Sequence, residues 1–140
     1  MADTDNQLRV RLVTPDRVLA DLMVDAVELP AKNGYMEVLY GHAPLLAELG
    51  AGDVTLHGGV AGQQRFNVAW GFVEVLPERV TILADSALKP EEIDTARAQE
   101  KLEEGRKLWN EAGDNPRKYR RAEEVMEKAE ARLASAARKD

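Results

Sequence analysis

The sequence contains no cysteine, two histidines and seven aromatic residues in 140. Without cysteine there is no disulfide framework and no thiolate chemistry. No run of apolar residues is long enough to span a bilayer. The opening stretch, Met1 to Gln7, is acidic and polar. It lacks the charged and apolar regions of a signal peptide and the Arg-rich character of a transit peptide, so the expectation is a chain made and kept in a cytosol-like compartment. His42 and His57 have no Cys or acidic partner at metal-ligand spacing, and no His-Glu-x-x-His occurs. There is no Walker-type glycine loop and no Gly-x-Ser-x-Gly; the only serines, Ser86 and Ser135, stand in no triad-like context. The chain is therefore expected to catalyse nothing alone.

What is present divides in two. Twelve of thirteen valines and eight of ten glycines precede residue 87. Residues 1–87 carry 6 Lys/Arg against 12 Asp/Glu, whereas residues 88–140 carry 13 of each. The net charge of −6 gives no basic surface for nucleic acid. β-Branched residues punctuated by Gly and Pro predict short strands and turns. Leu8-Arg9-Val10-Arg11-Leu12-Val13 alternates apolar and charged residues and then meets Thr14-Pro15-Asp16, which reads as a half-buried strand ending in a turn. Further strands are expected over 18–23, 24–29, 35–39, 53–56, 65–68, 72–76 and 79–84, with a turn between Gly58-Gly59 and Gly62. So many short strands predict an all-β N-terminal domain, a sandwich or barrel, over 1–87.

After Pro90 the period becomes helical. Pro90 suits a first helical turn, with Glu91, Glu92 and Asp94 at the positive end of the dipole. Ile93, Ala96, Leu102, Leu108 and Trp109 fit a helical stripe loosely. Tyr119, Ala122, Met126, Ala129, Leu133 and Ala136 follow a heptad-like spacing. Ala112-Gly113-Asp114-Asn115-Pro116 stops one helix and starts the next. The expectation over 88–140 is a two-helix hairpin, with helices at 91–111 and 117–138. Its apolar seam is thin. Two readings stand open, a permanently packed pair or an element that detaches, extends or binds a partner.

Three segments are distinctive. The stretch Gly34 to Leu46 combines bends with aromatics, and reads either as a contact surface or as a packed turn with His42 hydrogen-bonded. Trp70 to Asp85 reads as a core hairpin. The third pairs Ile93-Asp94-Thr95-Ala96-Arg97-Ala98 with Pro116-Arg117-Lys118-Tyr119-Arg120-Arg121-Ala122. There Asp94 and Arg97 share a helix face and can pair with each other, while Arg97, Lys128 and Arg132 can supply cations to a phosphate.

On these residues the sequence resembles the epsilon subunit of bacterial F-type ATP synthases, over nearly the whole chain. The resemblance is carried by Val13-Thr14-Pro15-Asp16, Gly41-His42-Ala43-Pro44-Leu45-Leu46, Gly71-Phe72-Val73-Glu74-Val75, Val80-Thr81-Ile82-Leu83-Ala84-Asp85 and the helical hairpin. It implies a flattened ten-stranded β-sandwich followed by an α-helical hairpin. It further implies a non-catalytic place in the central stalk of the F1 sector, bound to the gamma subunit and the c-subunit ring, coupling proton flow to ATP synthesis. The hairpin would reach the alpha and beta subunits when extended and restrain ATP hydrolysis. Membrane attachment would come only through the complex, as a peripheral component on the cytoplasmic face of a bacterial plasma membrane. Tyr35, Glu37, Tyr40, Gly41 and His42 would face the c ring and gamma. No cofactor is required. Some members bind ATP on the folded hairpin through Ile/Leu-Asp-x-x-Arg-Ala, which Ile93, Asp94, Arg97 and Ala98 match. Lys128 occupies a position that can be Arg, Arg132 matches, and Leu88 stands where such members can have Glu. In the loop before Gly41, Tyr35 replaces an acidic residue, Glu37 a glycine and Tyr40 a proline, so a different turn geometry is expected. The rival readings are a free-standing β-sandwich adaptor that recruits a partner through its helices, and a small ATP sensor.

Overall fold

The computed structural model describes residues 6–138. Most of the Met1 to Gln7 segment and the last two residues lie outside the described residues. The chain divides into two compact units, Met1–Lys89 and Pro90–Asp140.

The first unit is all-β. Its strands are β1 (Leu8–Val13), β2 (Val18–Val24), β3 (Ala26–Ala31), β4 (Gly34–Leu39), β5 (Leu45–Gly59), β6 (Gly62–Leu76) and β7 (Arg79–Leu88). They form one sheet in the order β2-β1-β7-β6-β5-β3-β4. Only β1 and β7 pair in parallel. The alternation in β1 does what its pattern demands. Leu8, Val10 and Leu12 are fully buried while Arg9 and Arg11 face solvent. Every strand contributes to one core that includes Val24, Leu29, Val38, Leu56, Phe66, Val75 and Ile82. A single sheet can do this only by folding onto itself. Accordingly β2 returns over the end of β5. The Asp25 N–H donates to the His57 carbonyl at 2.8 Å, and Leu22 and Val24 lie against Gly59.

The long strands make the fold possible. Residues 45–49 of β5 pair with 71–75 of β6, and 51–56 pair with 64–69. β6 in turn pairs with β7 as Gly71↔Ala84 on one side and Ala69↔Ser86 on the other. The three strands therefore pass from one layer to the other at Gly50, Trp70-Gly71 and Asp85. Seven continuous strands become ten segments in two five-stranded layers, a β-sandwich. The sequence reading placed strands in both halves of β6 but missed the first half of β5, because Leu45-Leu46-Ala47-Glu48-Leu49 has no β-branched residue. At the crossover Trp70 has φ 62° and Gly71 φ 126°. A Cβ on Gly71 would collide with the Leu83 carbonyl oxygen, so no other residue fits.

The second unit begins with a 3-10 turn over Pro90–Glu92, followed by α1 (Thr95–Asn110) and α2 (Pro116–Ala137). Pro90 and the two glutamates do not open α1, contrary to expectation. The Ile93 N–H closes the turn on the Pro90 carbonyl at 3.2 Å. Asp94 then takes an extended conformation and caps α1, its carboxylate accepting from the Arg97 N–H at 3.0 Å. Asn115 caps α2 in the same way and Pro116 fills the first position. Between them Gly113, at φ 60°, makes the left-handed stop. The expected α2 seam faces inward, with Ala122 and Ala129 buried and Met126 and Leu133 half-buried. In α1 the stripe differs from the expected one. Ala98, Leu102 and Gly105 are buried and Ala96 is exposed. With Trp109 and Ala112 these residues repeat the heptad spacing of α2. At Gly105 the helices touch, because an added Cβ would lie 2.6 Å from Met126 Cγ and 3.3 Å from the Met126 backbone nitrogen. The tip is held by an edge-on Trp109–Tyr119 pair, 4.6 Å between centroids, and by the Tyr119 hydroxyl donating to the Gly113 carbonyl at 2.8 Å.

Gly71→Ala is expected to cost about 3–5 kcal/mol, combining left-handed backbone with a backbone collision. Gly62→Ala, which has φ 78° but open space around it, should cost about 1–2 kcal/mol. Urea unfolding of the two variants checks the difference.

Candidate functional site

The first surface is built on β4 and the turn after it. Tyr35 is anchored. Its hydroxyl accepts from the Asp53 N–H at 2.9 Å and lies across Gly52, where a Cβ would collide with it. Asp53 in turn forms a buried cluster on β5 and β6. Arg65 Nη1 lies 2.9 Å from Asp53 Oδ2, and Asn67 Nδ2 donates to Asp53 Oδ1 at 3.2 Å. Glu37 sits in regular strand opposite Glu28. This opposition of like charges is eased because Glu28 Oε1 lies 2.7 Å from His57 Nε2. Glu37 therefore needs no glycine-like backbone. The turn instead uses Gly41, at φ 89°, whose N–H donates to the Pro77 carbonyl at 2.7 Å. The His42 N–H donates to the Leu39 carbonyl at 3.1 Å, and its ring Nδ1 lies 2.7 Å from the Ala43 carbonyl. His42 thus shapes the turn. Around it Leu39, Tyr40 and Leu45 are exposed and Leu46 is 72% exposed, whereas Tyr35, also exposed, lies at the other end of β4.

A second apolar surface went unread in the sequence. Val18, Val13, Leu83 and Phe72 are successive cross-strand neighbours on β2, β1, β7 and β6. Val18, Leu83 and Phe72 are each about half exposed. The signal was present as broken alternation. In Val80-Thr81-Ile82-Leu83-Ala84 the core-facing residues are Val80, Ile82 and Ala84, so Leu83 is a large apolar residue on the wrong side.

The third region lies within the hairpin. Asp94 is committed to capping, not to pairing with the Arg97 side chain. Ala98 is a seam residue, and Ile93 is half-buried in the turn before the cap. Arg97 is exposed on the first turn of α1. Lys128 and Arg132 stand one turn apart on α2 and are half-buried. Burial lowers the pKa of Arg132 below its ordinary value, and the Arg97 cation lowers it further. The fold thus brings Arg97 near enough to Arg132 for the two cations to interact unfavourably. Arg117, Lys118, Arg120 and Arg121 project from the start of α2. All four are exposed, and their side chains have no ion-pair partner among the described residues. Among the described residues no group of His, Asp and Glu is placed to hold a metal ion. No helix there is long and apolar enough to cross a membrane.

The family described as ATP synthase, Delta/Epsilon chain, beta-sandwich domain matches residues 7–90. An ATP synthase epsilon chain from Solibacter usitatus is 44% identical over 99% of this chain and 100% of its own length. One from Moorella thermoacetica is 36% identical over 92% of this chain and 96% of its own. Among solved structures, a chain of the Euglena gracilis mitochondrial ATP synthase (OSCP/F1/c-ring) superposes with a TM-score of 0.78 at 23% identity, covering 96% of this chain and 84% of that one. That likeness concerns the fold, and it extends over both units. A sandwich matching this family domain, and relatives that match from end to end with the hairpin included, lead to one conclusion: the chain belongs to the ATP synthase epsilon chains.

Proposed function

We propose that the chain is a non-catalytic rotor part of a proton-translocating F-type ATP synthase, with the sandwich as its anchor and the hairpin as a brake on ATP hydrolysis. The observation that carries this reading is the exposed apolar end of the sandwich, where Leu39, Tyr40, Leu45 and Leu46 face solvent beside a well-filled core. Such a surface suits a partner, here the c-subunit ring, with Tyr40, Gly41 and His42 forming the loop and Tyr35 and Glu37 on the strand that leads into it. The row Val18-Val13-Leu83-Phe72 suits the gamma subunit. Peripheral attachment through the complex then puts the chain at the cytoplasmic face of a bacterial plasma membrane.

For the hairpin, two features support a brake. Its buried seam is largely of small residues, Ala98, Gly105, Ala122 and Ala129, so little apolar area ties one helix to the other. Two states that differ by a few kcal/mol can both be populated. The exposed cations Arg117, Lys118, Arg120 and Arg121 suit an acidic face on the alpha/beta assembly. The repelling pair Arg97 and Arg132 suits the phosphates of a regulatory ATP, with Lys128 beside it.

Truncation after Lys89 is expected to leave assembly intact and raise ATP hydrolysis by the inhibited complex. Unchanged hydrolysis would mean that the hairpin is not the brake. The cut belongs there because Ala87 and Leu88 still pair with Val68 and Asn67. Calorimetry with millimolar ATP on the isolated chain is expected to give a binding heat that Arg97→Ala and Arg132→Ala abolish; no heat from the unaltered chain would dismiss the site. Asp94→Ala should destabilise α1 by about 1 kcal/mol through loss of the cap, and Asp94→Asn by much less. Helix content followed by circular dichroism on heating separates that structural role from recognition of ATP.

A further inference from the structure

Sulfur chemistry in this chain rests on methionine, since cysteine is absent. The described methionines stand in different surroundings. Met36 packs against the sandwich core. Met23 is exposed on β2, an edge strand. Met126 alone of the three lies in a helix–helix seam, half-buried, and it also lines an open groove of about 510 Å³ with Arg106, Trp109, Asn110 and Glu123. Its inner side packs directly on Gly105. Met126 Cγ lies 2.6 Å from where a Cβ of Gly105 would be, and Val125 Cγ1 lies 3.2 Å from the same point. Its outer side opens to solvent. Attack from water and consequence in the seam are thus combined in one side chain.

We propose that Met126 is a site of reversible oxidation by peroxide, and that the sulfoxide loosens the α1–α2 contact. In the forward step a sulfur lone pair takes one oxygen from hydrogen peroxide. The O–O bond breaks and an S–O bond forms. Sulfur is oxidised by two electrons, and the other peroxide oxygen leaves as water. The return step takes two electrons and two protons from a dithiol reductant, which becomes a disulfide while the oxygen leaves as water. The sulfoxide is larger and carries a strong dipole that must stay hydrated. Hydration of that dipole draws the side chain toward the groove, and the helices lose the packing of Met126 on Gly105. This inference rests on hairpin geometry and does not depend on the hairpin being a brake.

The full chain treated with hydrogen peroxide provides the test, with peptide mass spectrometry for each methionine and amide hydrogen exchange for each helix. Met126 is expected to oxidise faster than Met36. Exchange over residues 98–107 is expected to rise about tenfold once Met126 carries oxygen, with β6 unchanged. Met126→Leu keeps the apolar volume and is expected to fold normally and lose the response. Met126→Gln is expected to show the faster exchange without peroxide. Oxidation of Met126 no faster than Met36, unchanged exchange in α1 after Met126 is modified, or the same response in Met126→Leu would each overturn the proposal.

Discussion

The sandwich depends on one backbone event, the crossover at Trp70-Gly71. β6 changes layer there, beside the changes of β5 at Gly50 and β7 at Asp85, and its change needs a left-handed residue followed by one with no side chain at all. Everything placed at the loop end follows from it. The first half of β5 can pair with the second half of β6 only because both turn at this point. That pairing carries Leu45 and Leu46 to the same end as the β6–β7 turn, where the Pro77 carbonyl holds Gly41. The loop is therefore a rigid surface that presents its apolar side chains at little further entropic cost.

The hairpin is built on the opposite economy. Its seam replaces large side chains with alanine and glycine, so the helices meet nearly backbone to backbone at Gly105. Close approach yields contact without much apolar area. Local order comes instead from two side-chain caps, the Trp109–Tyr119 pair and exposed ion pairs such as Arg106 with Glu103 at 2.6 Å. Exposed pairs of this kind contribute little stability each. Such an element keeps its internal shape with little apolar area between its helices.

Legibility in the sequence followed side-chain size and period. β1 was readable because charged and apolar residues alternate from Leu8 to Leu12, and the turn at Gly113 because Gly, Asn and Pro stand in capping order. The first half of β5 was not, since its leucines and alanines carry no strand preference and its pairing is decided by a crossover more than twenty residues later. The α1 stripe was misread by weighting large residues, when Ala98 and Gly105 mark the contact. Asp94 was legible as a helix-start residue, but its capping role emerged only with the 3-10 turn that moves the start to Thr95. The outward row of Val18, Val13, Leu83 and Phe72 became visible once register set these residues side by side.

As a member of the ATP synthase epsilon chains, the protein is a component of that enzyme complex. Its two units are built differently, a sandwich turned at a left-handed crossover and a helical pair joined along a seam of small residues. The most direct measurement is the subunit composition of the native complex recovered through a tag on this chain. Alpha, beta, gamma and c subunits are expected in the same particle. Recovery of the chain only as a free monomer would rule out the rotor assignment.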